Sequence, residues 1–147
     1  MTTYSFQDVT CSIVGTGLAC QLASEAGAAE EGVTIDMEAD KTNLTTGADG
    51  SYMHSLHAAN AGTVTVRLLK TSPYNAILMA AYNAQRISSA LWGKNIITLV
   101  QNNADDSIVA AGCGFLRQPN LEYAMDGGTV TWAFRSGSIT GFLGTYN

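Results

Sequence analysis

"SIVGTGLACQLASEAG", residues 12–27, admits two readings that lead to different folds. In the first, an apolar strand runs into Gly15-Thr16-Gly17 and a helix follows from Leu18 to about Ala26, with Asp36 on the next apolar run about twenty residues later. That outline mimics a dinucleotide-binding turn, where amides at a helix start hold pyrophosphate, and it would make the chain a small nucleotide-dependent enzyme. In the second, Gly15-Thr16-Gly17 is a hairpin turn, and Leu18, Cys20 and Leu22 form one side of a period-two strand. The third small position of the fingerprint is held by Cys20 rather than Gly or Ala, which favours the strand.

The rest of the chain decides between them. "GVTIDME" sets Val33, Ile35 and Met37 against Thr34, Asp36 and Glu38; "TVTVRLL" sets Val64, Val66 and Leu68 against Thr63, Thr65 and Arg67. "TVTWAFR" repeats the pattern with Val130, Trp132 and Phe134, entered through the turn signal Asp126-Gly127-Gly128. "NIITLVQN" and "DSIVAAGCGFL" are β-rich runs joined across Asn102–Asp106, and the opening "YSFQDVTCSIVG" alternates around a bulge near Asp8. Only "SPYNAILMAAYNAQRISSALWG" has helical spacing, with Ser72 as N-cap, Pro73 in the first turn, and Tyr74, Ile77, Leu78, Ala81 and Tyr82 on one face. At least six strands and one helix predict a mainly β fold, an antiparallel β-sandwich or barrel-like domain over 1–147. One flanking helix spans about 73–89 and a long extended loop about 40–62.

Composition narrows the function. A chain of 147 residues with 46% hydrophobic and 13% charged residues can bury its own core. The net charge is −5 and no basic cluster occurs, so sequence-specific nucleic-acid binding is not expected. The N-terminus has no signal-peptide pattern and no apolar run approaches the roughly 18–20 residues of a membrane span, which predicts a cytosol-like compartment without membrane insertion. Cys11, Cys20 and Cys113 lack metal or disulfide spacing and read as free, mostly buried thiols.

Catalytic and metal constellations are thin. His54-x-x-His57 with Asp49 nearby has no third or fourth convergent ligand, no G-x-S-x-G is present, and Glu30-Glu31 and Asp105-Asp106 read as solvated charge. Asn43-Leu44-Thr45 fits a glycosylation acceptor but has no secretory signal to give it meaning. No catalytic residue, cofactor or metal is assigned. The stretch from Asp40 to Gly62 is longer than ordinary strand connections and carries Leu44, Tyr52, Met53 and Leu56 among small polar residues. Exposing those side chains gains nothing for a solitary domain, whereas covering them yields roughly 25 cal/mol per Å² before the costs of association. Either a partner covers them, or the chain is a monomeric β-sandwich binding module that uses them to hold its target.

Four phrases, "MTTYSFQDV" (1–9), "AEEGVTIDM" (29–37), "DKTNLTTGADGSYMHSLHA" (40–58) and "AGTVTVRLLKTSPYNAILMAAYNAQ" (61–85), in this order and spacing, resemble the tail tube protein family of contractile-tailed bacteriophages. The resemblance runs along the whole chain and is strongest from Glu30 to Gln85. It implies a fold shared in outline with type VI secretion tube proteins, with six copies closing into rings that stack into a hollow tube inside a sheath. It also implies tail sheath, baseplate and tail-terminator partners, residence in the virion tail after assembly in the host cytoplasm, and DNA passing through the lumen unread. The family's extended loop contacts neighbouring subunits, which assigns that role to Asn43, Leu44, Asp49, Tyr52, Met53, His54, Leu56 and His57. Asp36 and Glu38, opposite Val33, Ile35 and Met37, are the expected lumen-facing pair, and an acidic wall suits a conduit that must release phosphates rather than hold them.

Overall fold

A computed structural model describes residues 2–5, 8–23 and 28–146. Gly15 and Gly17 bound a hairpin turn between β1 (Val9–Gly15) and β2 (Leu18–Ala23), so the dinucleotide reading is overturned. Each glycine has its own reason. Gly17 has φ +69°, the left-handed region that favours glycine, and a Cβ on Gly15 would lie 1.8 Å from Asn95 Oδ1. Residues 24–27, the end of the expected helix, lie outside the described residues, as do the Cys20 and Leu22 side chains.

The other elements are β3 (Ala28–Met37), β4 (Thr42–Thr46), β5 (Tyr52–Leu56), β6 (Gly62–Leu69), α1 (Tyr74–Gln85), β7 (Asn95–Gln101), β8 (Asp106–Phe115) and β9 (Thr129–Phe142). Seven strands form one antiparallel sheet in the order β2-β1-β7-β8-β9-β6-β3, and β4 and β5 pair separately. Its edge strands β2 and β3 are consecutive in the chain. In a flat sheet six inter-strand spacings would hold them about 29 Å apart. The five Cα steps from Ala23 to Ala28 reach at most about 18 Å, so the sheet must curl. The barrel-like expectation takes the form of a curled sheet with no closing ladder between β2 and β3 among the described residues.

The core fills this curl. Cys11, Ile13, Val64, Val66, Leu68, Ile97, Ala110, Cys113, Val130, Trp132 and Phe134 are buried, and Leu78 and Ala81 of α1 pack among them. Val33 and Ile35 join the core partly, whereas Met37, expected inside, is exposed at the strand end. Phe115 stands at the centre, its ring 4.9 Å from Phe134, 5.9 Å from Trp132 and 5.6 Å from Tyr82.

Two amide contacts fix the helix. Trp132 Nε1 donates to Asn75 Oδ1 at 3.1 Å near its start. At its end, buried Gln85 and Asn95 exchange amide hydrogen bonds of 2.9 and 3.0 Å, and Gln85 also donates to the Thr16 carbonyl at 3.3 Å. The helix ends at Gln85 rather than near 89, with the Arg86 N–H donating to the Tyr82 carbonyl at 3.1 Å as its C-cap. Ser72 sits two residues before the helix, its hydroxyl accepting from the Tyr74 amide at 3.4 Å.

Three other expectations change. Only Val9–Gly15 of the opening run is strand, and Phe6 lies outside the described residues. Asp126-Gly127-Gly128 is not a tight hairpin but the end of the connection 116–128 between β8 and β9, tied by Lys70 N–H to the Gly128 carbonyl at 3.1 Å. The stretch 40–62 is largely a ladder rather than an irregular loop. The Asn102–Asp106 turn is as expected, with Asp105 at φ +60°.

Candidate functional site

The β4–β5 ribbon is the feature least explained by the chain's own packing. Nearly all of its residues are exposed, and an isolated two-stranded ribbon is marginally stable in water, so this one gains little from the core. Its register pairs Thr42 with Leu56, Asn43 with Ser55, Leu44 with His54, Thr45 with Met53 and Thr46 with Tyr52.

Alternation separates the expected contact residues into two faces. Leu44, Tyr52, His54 and Leu56 share one, with Leu44, Tyr52 and Leu56 exposed by 53, 71 and 85% and the Tyr52 and His54 rings 5.7 Å apart edge to face. Asn43 and Met53 lie on the other face with Thr45 and Ser55. His57 continues the ladder, its N–H donating to the Lys41 carbonyl at 2.8 Å while Lys41 Nζ donates back to the His57 carbonyl at 3.2 Å. Three positions apart on extended backbone, His54 and His57 point to opposite faces, so they do not converge on one ion. No group of three His, Cys, Asp or Glu side chains positioned for a metal occurs among the described residues.

The tip is built by Asp49. Its Oδ1 accepts from Ser51 Oγ at 2.6 Å and Ser51 N–H at 3.1 Å, and Gly47 N–H donates to the Ser51 carbonyl at 2.7 Å. These bonds, the Ser51 hydroxyl first, hold the Asp49 carboxyl below its ordinary value. Gly50 has φ +89°, the conformation that lets the chain reverse here.

Asp36 and Glu38 lie on the convex side of the sheet, Asp36 exposed opposite Thr63. Glu38 accepts a charge-assisted hydrogen bond from Arg135, an exposed pair of small energetic weight. Arg67 shares this surface and donates to Thr34 Oγ1 at 3.2 Å, so the surface is mixed in charge rather than purely acidic.

Two exposed apolar groups escape the period-two reading of single strands. Tyr123 and Met125 project from the 116–128 connection, with Lys70 Nζ 4.0 Å above the Tyr123 ring. Val14 and Ile96 form a cross-strand pair on the convex side of β1 and β7. The signal for the second was present: Ile13-Val14 and Ile96-Ile97 are adjacent apolar residues, which a strand with one wet face should not have.

Several solved structures share this fold. A chain of the sheath/tube terminator of the PVC extracellular contractile injection system, in its extended state, matches with TM-score 0.64 and 13% identity over 97% of this chain and 98% of that one. A chain of the anti-feeding prophage tube-terminating cap matches with TM-score 0.59 and 12% identity, covering 97% and 94%. One from the PVC sheath–tube complex gives 0.57 and 13%, covering 90% and 88%. At these identities the likeness is one of fold. No curated protein sequence matches the chain. The model of a family of structural tail tube proteins, described as "Bacteriophage PhiTE tail tube protein", matches residues 1–144, nearly the whole sequence, and the chain belongs to that family.

Proposed function

We propose that copies of this chain assemble, without catalysing a reaction, into six-membered rings that stack as the hollow inner tube of a contractile phage tail. The genome leaves through the lumen. The β4–β5 ribbon carries the proposal: it holds Leu44, Tyr52 and Leu56 in water, where only a neighbouring molecule can cover them. Asn43, Asp49, Met53, His54 and His57 belong to the same contact element, Asp49 by shaping its tip. The related folds come from sheath–tube, baseplate and terminator assemblies, which supports sheath, baseplate and terminator proteins as partners in the virion tail. Asp36 and Glu38 face the channel in this reading, supported by their hydrated, threonine-rich surroundings.

Negative-stain microscopy of the purified protein at rising concentration tests the assembly. Rings or tubes of uniform diameter are expected, and a protein that stays monomeric at the highest concentrations would overturn the proposal.

A further inference from the structure

The convex side of the sheet is divided. On β3, β6 and the first half of β9 it alternates cleanly and carries Asp36, Arg67 and Arg135 among threonines. On β1, β7 and β8 it carries no charged side chain. Thr10, Ser12 and Val14 stand beside Val100, Thr98 and Ile96 in register, and Val109 lies next to Thr98. Val14 is 56% and Ile96 46% exposed.

The sequence of these three strands is not that of a sheet with one wet face. Ile13-Val14, Ile96-Ile97, Leu99-Val100 and Ile108-Val109 are apolar on both sides, the pattern of strands covered on both faces. Among the described residues, the chain covers one face only. The ribbon's Leu44–Tyr52–His54–Leu56 face is a second uncovered surface, and it holds no Asp, Glu, Lys or Arg. Pressing the two together would strand no carboxylate, ammonium or guanidinium in a dry contact, whereas the β3–β6–β9 half would bury several. Lys94 stands just before β7, at the border of the uncharged area, as in interfaces with an apolar centre and a polar rim.

We infer that the convex face of β1, β7 and β8 is the acceptor for the apolar face of the β4–β5 ribbon of a second copy of this chain. Donor and acceptor are different surfaces of one protomer, so the contact is head-to-tail and repeats from copy to copy, giving rings or filaments rather than an isolated dimer. The inference rests on the assembly proposed above and adds the surface that receives the ribbon.

Paired cysteine substitutions test it. Leu56→Cys and Ile96→Cys proteins, each confirmed folded by circular dichroism and a cooperative melt, are mixed under mild oxidation. A disulfide-linked heterodimer is expected from the mixture, in at least about tenfold excess over a mixture of Leu56→Cys with Thr63→Cys on the charged half. Ile96→Lys should lower polymer yield at least about tenfold while leaving the monomer folded, because the contact would then bury an unpaired ammonium. Wild-type tubes with equal yield from Ile96→Lys, or equal cross-linking to both partners, would overturn the acceptor assignment alone. A wild-type protein that never assembles would overturn the underlying proposal instead.

Discussion

Replacing Gly15 by alanine puts a methyl group where Asn95 Oδ1 already lies, and the Gln85–Asn95 pair must open. Overpacking and two unmade buried amide bonds together cost about 2–4 kcal/mol, which for a domain of this size lowers Tm by about 5–15 °C. Thermal melts of Gly15→Ala should show that loss, while Thr16→Ala, on the exposed turn, should melt within a degree or two of wild type. At the ribbon tip the Asp49 carboxyl is held below its ordinary 3.8 by the Ser51 hydroxyl and amide. Its folded value lies below its unfolded one, so the stabilisation it lends the turn is complete above the ordinary value and is lost as pH falls through the lower, folded one. An NMR titration of the carboxyl carbon should therefore find a midpoint below 3.8 that rises towards 3.8 in Ser51→Ala. Burial pushes the Cys113 thiol up, and its Sγ donates to the Ala110 carbonyl at 3.2 Å. It should resist alkylation at pH 8 in the folded protein and react fully once denatured.

Deleting 46–55 removes the tip, the last residue of β4 and four of the five residues of β5 but no core residue, so the expected product is a monomer with a wild-type melt that forms no tubes. Normal tubes from that variant would show that the ribbon is not the docking element. The ribbon also shows how far element-level reading reaches. Its apolar residues stood out in the sequence because Leu44, Tyr52 and Leu56 sit among small polar neighbours, but the ladder did not, since Gly47 and Gly50 punctuate a run without strict alternation. The strands with strict alternation, β3, β6 and the first half of β9, were readable directly, whereas β8 was legible as a β-rich run without its inward phase and the rest of β9 was not read. There Ala110 and Cys113 are both buried, as are Ser136 and Ile139, each pair three residues apart. Gly112 at φ +64° bulges β8 against β7, and Ser136 Oγ donates to the Ala111 carbonyl at 2.8 Å beside it, so the inward phase shifts in mid-strand. Such a shift depends on the partner strand, and local sequence carries no record of it.

For the whole molecule, an assembly whose contacts are uncharged at their centre should respond weakly to screening. Raising salt from about 0.05 to 0.5 M should change polymer yield by less than about threefold, as followed by sedimentation, whereas contacts built on exposed ion pairs would weaken markedly. At this scale the sequence revealed fold class and family, but not the sheet order, which pairs β1 with β7 across some eighty residues of intervening chain. That pairing sets a schedule for synthesis. β1 is made first yet remains without its inner neighbour until residue 101 has emerged, and β8 follows only after that. The ribbon is complete by residue 56, long before the β1–β7–β8 surface can exist. At translation rates of about 5–20 residues per second, a nascent chain therefore offers a donor for several seconds with no acceptor of its own. In the assembly proposed above, polymerisation would then wait on finished protomers, with the late, long-range strand pairing timing when each subunit can join.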